Sequence, residues 1–205
     1  MMKLFDYEGG FMKTATILSR LTLLNLLWLA CCIPLVTVGA ATAAQHHSAA
    51  CLMNGDIHTA RNFRAGWKLY WKKGTVVWLF SAVLGTAFAM ACYMLNYSDM
   101  PSGRVLMIIA GIAFLTLVLV LMWVYPVMVN FSGKLTEITF NAFIFAFMYA
   151  PVTLIAAAFY GIAGFLFIRF LATRLLVILF GPTVVVYCTL VLFEKVFQKY
   201  KKKES

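Results

Sequence analysis

Residues 17–54 read ILSRLTLLNLLWLACCIPLVTVGAATAAQHHSAACLMN, and how often this stretch crosses a membrane decides the fold. As one helix it would extend about 57 Å at 1.5 Å per residue, nearly twice a hydrocarbon core of roughly 30 Å. Pro34 and Gly39 stand in its middle. Proline disfavours helix at the residue before it, and glycine permits a sharp reversal, so 34–39 reads as a turn in which Gly39 is free to take a positive φ. The stretch then divides into helices near 17–33 and 38–53. The second is too small and polar to face lipid well. Its Gly39/Ala43 and Ala40/Ala44/Ser48 rows are small-xxx-small patterns that let backbones approach closely. Enclosure is expected, with partners for Gln45, His46 and Ser48, because unpaired polar groups in hydrocarbon are costly.

The rest of the 205-residue chain is of the same kind: 63% hydrophobic and 12% charged. Further spans fall near 75–96, 105–130, 139–163 and 174–194, leaving no room for a soluble core. Pro126, Pro151 and Pro182 interrupt the last three. The fold class is all-α: residues 1–205 form a single polytopic transmembrane helical bundle of about six spans, or five if 17–54 crosses once. With six spans, one side collects 14 Lys and Arg against 3; with five, the better orientation gives 11 against 6. The positive-inside rule therefore favours six spans with both termini cytoplasmic. Residues 1–20 read as the flank of a retained helix, since Ala-Thr-Ala-Ala at 41–44 lies too far in for signal cleavage.

The net charge of +10 is concentrated at the ends of spans, which fits an anionic inner leaflet and excludes nucleic acid as a partner. Residues 57–73 read as an interfacial amphipathic helix. Phe63, Trp67, Tyr70 and Trp71 share a face, and Arg61, Arg64, Lys68 and Lys72 form a stripe beside it. This surface would contact the membrane or a partner. The basic tail after Phe193 suits both a helix C-terminus and the same leaflet.

Chemistry is sparse. The seven acidic residues, Asp6, Glu8, Asp56, Asp99, Glu137, Glu194 and Glu204, all map to loops or helix ends, whereas ion-coupled carriers place an ionisable group within the bundle. His46 and His47 are adjacent, about 100° apart on a helix, so they form no i, i+4 metal clamp. With Gln45, His46 marks a candidate polar cavity. Cys31, Cys32, Cys51, Cys92 and Cys188 lack paired metal or redox spacing and read as packing residues. There is no phosphate-binding loop, nucleophile elbow or paired catalytic carboxylate, so no enzyme, cofactor or metal is expected.

Several blocks resemble the YesL-like family of small bacterial membrane proteins, a domain of unknown function. Phe5-Asp6 with Gly9, Gly10, Phe11 and Lys13 is similar to its N-terminal flank. Leu24-Asn25-Leu26-Leu27-Trp28 and Ile33-Pro34-Leu35-Val36-Thr37-Val38-Gly39-Ala40 carry its most specific signature, marking Asn25, Trp28, Pro34, Thr37 and Gly39. Asn62-Phe63-Arg64 through Trp71-Lys72, Tyr125-Pro126, Asn141-Ala142-Phe143 and Phe193-Glu194-Lys195 are similar too. The resemblance implies a Gram-positive cytoplasmic membrane and association with carbohydrate ABC importers. The expected function is an accessory or regulatory membrane protein touching the ABC permease subunits by helix–helix contact. Rival expectations are a small autonomous transporter or channel and a membrane-assembly protein. A continuous polar cavity across the bundle would favour transport; an apolar, small-residue groove on the lipid face would favour a partner.

Overall fold

A computed structural model describes residues 10–96, 103–169 and 171–201. The elements are α1 (Gly10–Cys32), a 3-10 turn (Leu35–Thr37), α2 (Val38–Met53), α3 (Thr59–Asn96), α4 (Gly103–Asn130), α5 (Leu135–Met148), α6 (Ala150–Arg169) and α7 (Leu171–Lys201). Five helices are long and apolar enough to cross a membrane: Thr14–Cys32, Thr59–Asn96, Gly103–Asn130, Ala150–Arg169 and Arg174–Tyr200. The contacts run antiparallel from one helix to the next. Trp28 meets Thr42, Gly39 meets Gly74, Gly85 meets Phe114, and Trp123 meets Phe145. Helix α2, at 16 residues, and α5, at 14, are shorter than these five. Phe5, Asp6, Glu8, Gly9, Asp99, Glu204 and the lysines at 202 and 203 lie outside the described residues.

The reversal at 34–39 is built as its residues dictate. Pro34 is extended (φ −77°, ψ 111°), ending α1. The Thr37 hydroxyl lies 2.7 Å from both Cys31 O and Pro34 O, serving carbonyls that the end of α1 leaves free. Gly39 is not a positive-φ residue; it belongs to the first turn of α2. The positive φ, +89°, belongs to Gly55 in the next loop.

Two boundaries differ from the sequence reading. Residues 57–73 and 75–96 are not separate: α3 runs through Gly74 without a break. The glycine is used for contact instead of a turn, since a Cβ there would lie 2.6 Å from Gly39 O. The span near 139–163 is two helices, broken at Tyr149, where Pro151 cannot donate the next ladder bond. Pro126 and Pro182 lie inside continuous helices. Glu194 also stands within α7 rather than at its end.

Two apolar cores result. Trp123 is fully buried at the centre of the larger, stacked on Phe193 at 3.9 Å and edge-on to Phe197, among residues of α2 to α7. The smaller joins Leu24, Ala44, Ala49, Phe63, Val186 and Leu190, from α1, α2, α3 and α7. Beyond Ser81 no α3 residue is buried, and in α4 burial resumes only at Val120 after Gly103, so these outer halves form an uncovered two-helix hairpin.

Candidate functional site

Helix α2 positions the polar interior. Ten of its 16 residues are buried, seven of them glycine, alanine or serine, and this lets its backbone lie against α3. A Cβ on Gly39 would strike the Gly74 carbonyl and Trp78, and one on Gly66 would fall 2.8 Å from His47 Cβ. The Trp78 indole N–H donates to Leu35 O (2.8 Å), pinning the turn, and the Trp28 indole N–H donates to Thr42 Oγ1 (3.2 Å), joining α1 to α2.

The innermost network follows from Pro182. Proline has no N–H, so the carbonyl four residues back, Ile178 O, loses its helical donor. The Asn25 amide replaces it, donating to Ile178 O (2.7 Å) and Leu179 O (2.8 Å). The Thr183 hydroxyl donates to Asn25 Oδ1 (2.9 Å), and Gln45 Nε2 donates to Thr183 Oγ1 (2.7 Å). All three side chains are buried. A parallel arrangement serves the α5–α6 break. There Trp123 Nε1–H donates to Thr153 Oγ1 (2.9 Å), whose hydroxyl faces Ala146 O (2.9 Å) and Tyr149 O (3.1 Å). Thr153, Thr183 and Trp123 were not singled out from the sequence. The signal is a threonine just after a proline, as in Pro151-Val-Thr153 and Pro182-Thr183.

His46 is buried and lies against Tyr125, ring centroids 5.7 Å apart, with Nδ1 2.8 Å from Thr42 O. The Ser48 hydroxyl donates to Thr59 O (3.1 Å). Gln45 and His46, with Trp28 and Thr42, form the polar side of a cavity of about 740 Å³ between α1, α2, α4, α6 and α7. The remaining wall is mostly apolar or small, including Ala157, Gly161, Gly164 and Gly181, and also carries Tyr125 and Tyr160.

The basic-aromatic stretch divides by face. Phe63 is buried in the smaller core, Trp67 is half-buried, and Trp71 is 50% exposed. The aromatic face thus packs mainly on protein, against α2, while Arg61, Arg64, Lys68 and Lys72 remain exposed. Lys72 Nζ stands 5.7 Å from the Trp71 ring, and Lys73 turns inward, donating to Gly133 O (2.8 Å). At the start of α3, Asp56 Oδ1 accepts from the His58 backbone N–H (3.0 Å) and meets its ring nitrogen (2.9 Å), while Oδ2 accepts from Arg61 (3.0 Å). The His58 backbone bond, then its ring, hold the Asp56 carboxyl well below the usual carboxylate range, aided by Asn62 and Arg61.

Fold and interior define an α-helical, multi-pass membrane protein whose buried polar side chains largely serve its own backbone. Residues 21–92 match the model of a family described as Protein of unknown function, DUF624, a segment covering the second half of α1, all of α2 and α3 nearly to its end. No curated protein and no solved structure matches the chain.

Proposed function

We propose that this chain is an accessory or regulatory subunit in a bacterial cytoplasmic membrane, touching the permease of a carbohydrate ABC importer through helix–helix contact. The carbohydrate setting and the YesL-like placement rest on the resemblance of the Asn25–Trp28 and Pro34–Gly39 blocks. The observation that carries the contact reading is the outer α3–α4 hairpin. It is uncovered and apolar on all sides, with Val83, Met90, Ile108, Ile109, Ile112 and Leu115 each more than half exposed. Association between membrane helices depends on packing and on close approach, and a two-helix blade offers both faces to a neighbour. The autonomous-transporter reading needs a polar path, whereas Asn25, Thr183 and Gln45 pair with one another and with backbone.

Photo-cross-linking residues at Ile109 and Ile112, in cells with an intact importer operon, test the reading. A discrete adduct containing a permease subunit is expected from these positions and not from Leu154 on α6. If Ile109 and Ile112 yield lipid adducts alone, the hairpin is a lipid-facing element and the accessory role fails.

A further inference from the structure

The proton positions around the cavity can be deduced from groups that have no choice. Backbone carbonyls only accept, so the Asn25 atoms facing Ile178 O and Leu179 O must be its NH₂, leaving Oδ1 as acceptor. The Thr183 hydroxyl has one proton and directs it to that oxygen, and can then only accept from Gln45. Gln45 must therefore present its NH₂ to Thr183, and its Oε1 takes no donor among the described residues. His46 faces Thr42 O through Nδ1, so the neutral ring carries its proton there and Nε2 is a bare acceptor. This nitrogen also finds no donor among the described residues, although His46 is only 3% exposed. Both side chains border the same cavity, whose other walls are largely apolar.

We infer that this cavity is a binding site for a single apolar molecule whose polar end is a hydrogen-bond donor, a hydroxyl or an N–H. Its volume, about 740 Å³, lies within the roughly 300–1,000 Å³ typical of small-molecule sites. Such sites combine apolar walls with a few convergent polar groups. Here two adjacent residues contribute bare acceptors, Gln45 Oε1 and His46 Nε2, which an alcohol or amine can satisfy and an ether cannot, beside the second Gln45 N–H and the Tyr125 hydroxyl. The second cleft, about 540 Å³ between α3, α4 and α5, lacks this feature: its Ser81 and Thr139 hydroxyls donate to carbonyls of their own helices. The inference does not depend on the partner proposed above, although Leu115, Val118 and Leu119 of the outer half of α4 also line the cavity.

The test uses the purified full-length protein in mild detergent, with hexadecanol and hexadecyl methyl ether as matched probes and native mass spectrometry as readout. The two differ in one donor, so the alcohol should bind about 3- to 10-fold more tightly, the worth of one net hydrogen bond. His46→Phe keeps an aromatic ring against Tyr125 and removes Nε2. It should reduce the preference for the alcohol while leaving ether binding in place. Equal binding of both probes to the unmodified protein, or binding of neither, overturns the proposal without reliance on any variant. Persistence of the full preference in a folded His46→Phe protein overturns it as well. Gly161→Leu, which narrows the cavity, should weaken both probes together; unchanged binding would place them elsewhere and sink the assignment.

Discussion

Replacing Asn25 by leucine keeps much of the side-chain volume while removing its donor and its acceptor. Ile178 O then loses the substitute for the proline-deleted bond, Leu179 O loses a donor, and the Thr183 proton loses its acceptor. Leaving buried polar groups unpaired costs about 1–3 kcal/mol, and membrane-embedded pairs fall toward the low end. Thermal unfolding in detergent should record a loss of that size for Asn25→Leu. Because Thr183 acts through Asn25, the Asn25→Leu/Thr183→Val double variant should fall short of the sum of the single losses by roughly 0.5–2 kcal/mol. Additive losses would mean that the two side chains act independently. Asn25 was legible as a motif residue, but its task was not: the carbonyls it serves lie 153 and 154 positions away along the chain.

Among the elements, the α2–α3 seam is the tightest contact, and glycine makes it possible. Gly39→Ala would drive a methyl group into the Gly74 carbonyl, and backbone cannot yield as a flexible side chain would. Overpacking of this kind costs about 1–3 kcal/mol. Gly111→Ala is the matched control, because a Cβ at that position on α4 meets nothing within 4 Å. The expected result in a thermal-stability assay is a clear loss for Gly39→Ala and for Gly74→Ala, with Gly111→Ala unchanged or slightly raised. The sequence announced half of this seam. The small-residue rows of α2 point to close packing, yet nothing local tells a contact glycine from a turn glycine, and Gly74 stands between a basic stretch and an apolar one. Its partner, Gly39, decides the matter.

For the whole molecule, we propose that α2 completes a crossing beside the five long helices, which would put the start of α1 and the end of α7 at the same end of the bundle. The Lys and Arg distribution, 14 against 3, supports a cytoplasmic placement of that end in this proposal. Reporters fused at Gly10 and at Lys201 should therefore both read as cytoplasmic. Opposite readings would mean an odd number of crossings, leaving α2, about 24 Å long, embedded without completing one. The stretch that forms α5 and α6 is where the sequence reading was least complete. An unbroken apolar run from 138 to 168 gives no sign that Tyr149 leaves the helix, and only Pro151 hints at it.

The sequence by itself determined the membrane setting, the all-helical class, the reversal after Pro34 and the enclosure of α2, because each follows from composition or from local backbone rules. Hydrocarbon leaves a backbone few choices, so apolar length alone specifies spanning helices. What only the tertiary structure decided are the pairings across the chain: Gly39 on Gly74, Asn25 on the carbonyls freed near Pro182, Thr153 under Trp123, and Phe63 on protein instead of lipid. It also decided which atoms of Gln45 and His46 remain free to face the cavity. A side chain's hydrogen-bonding direction is set by the partner it meets, and those partners come together only when distant helices pack.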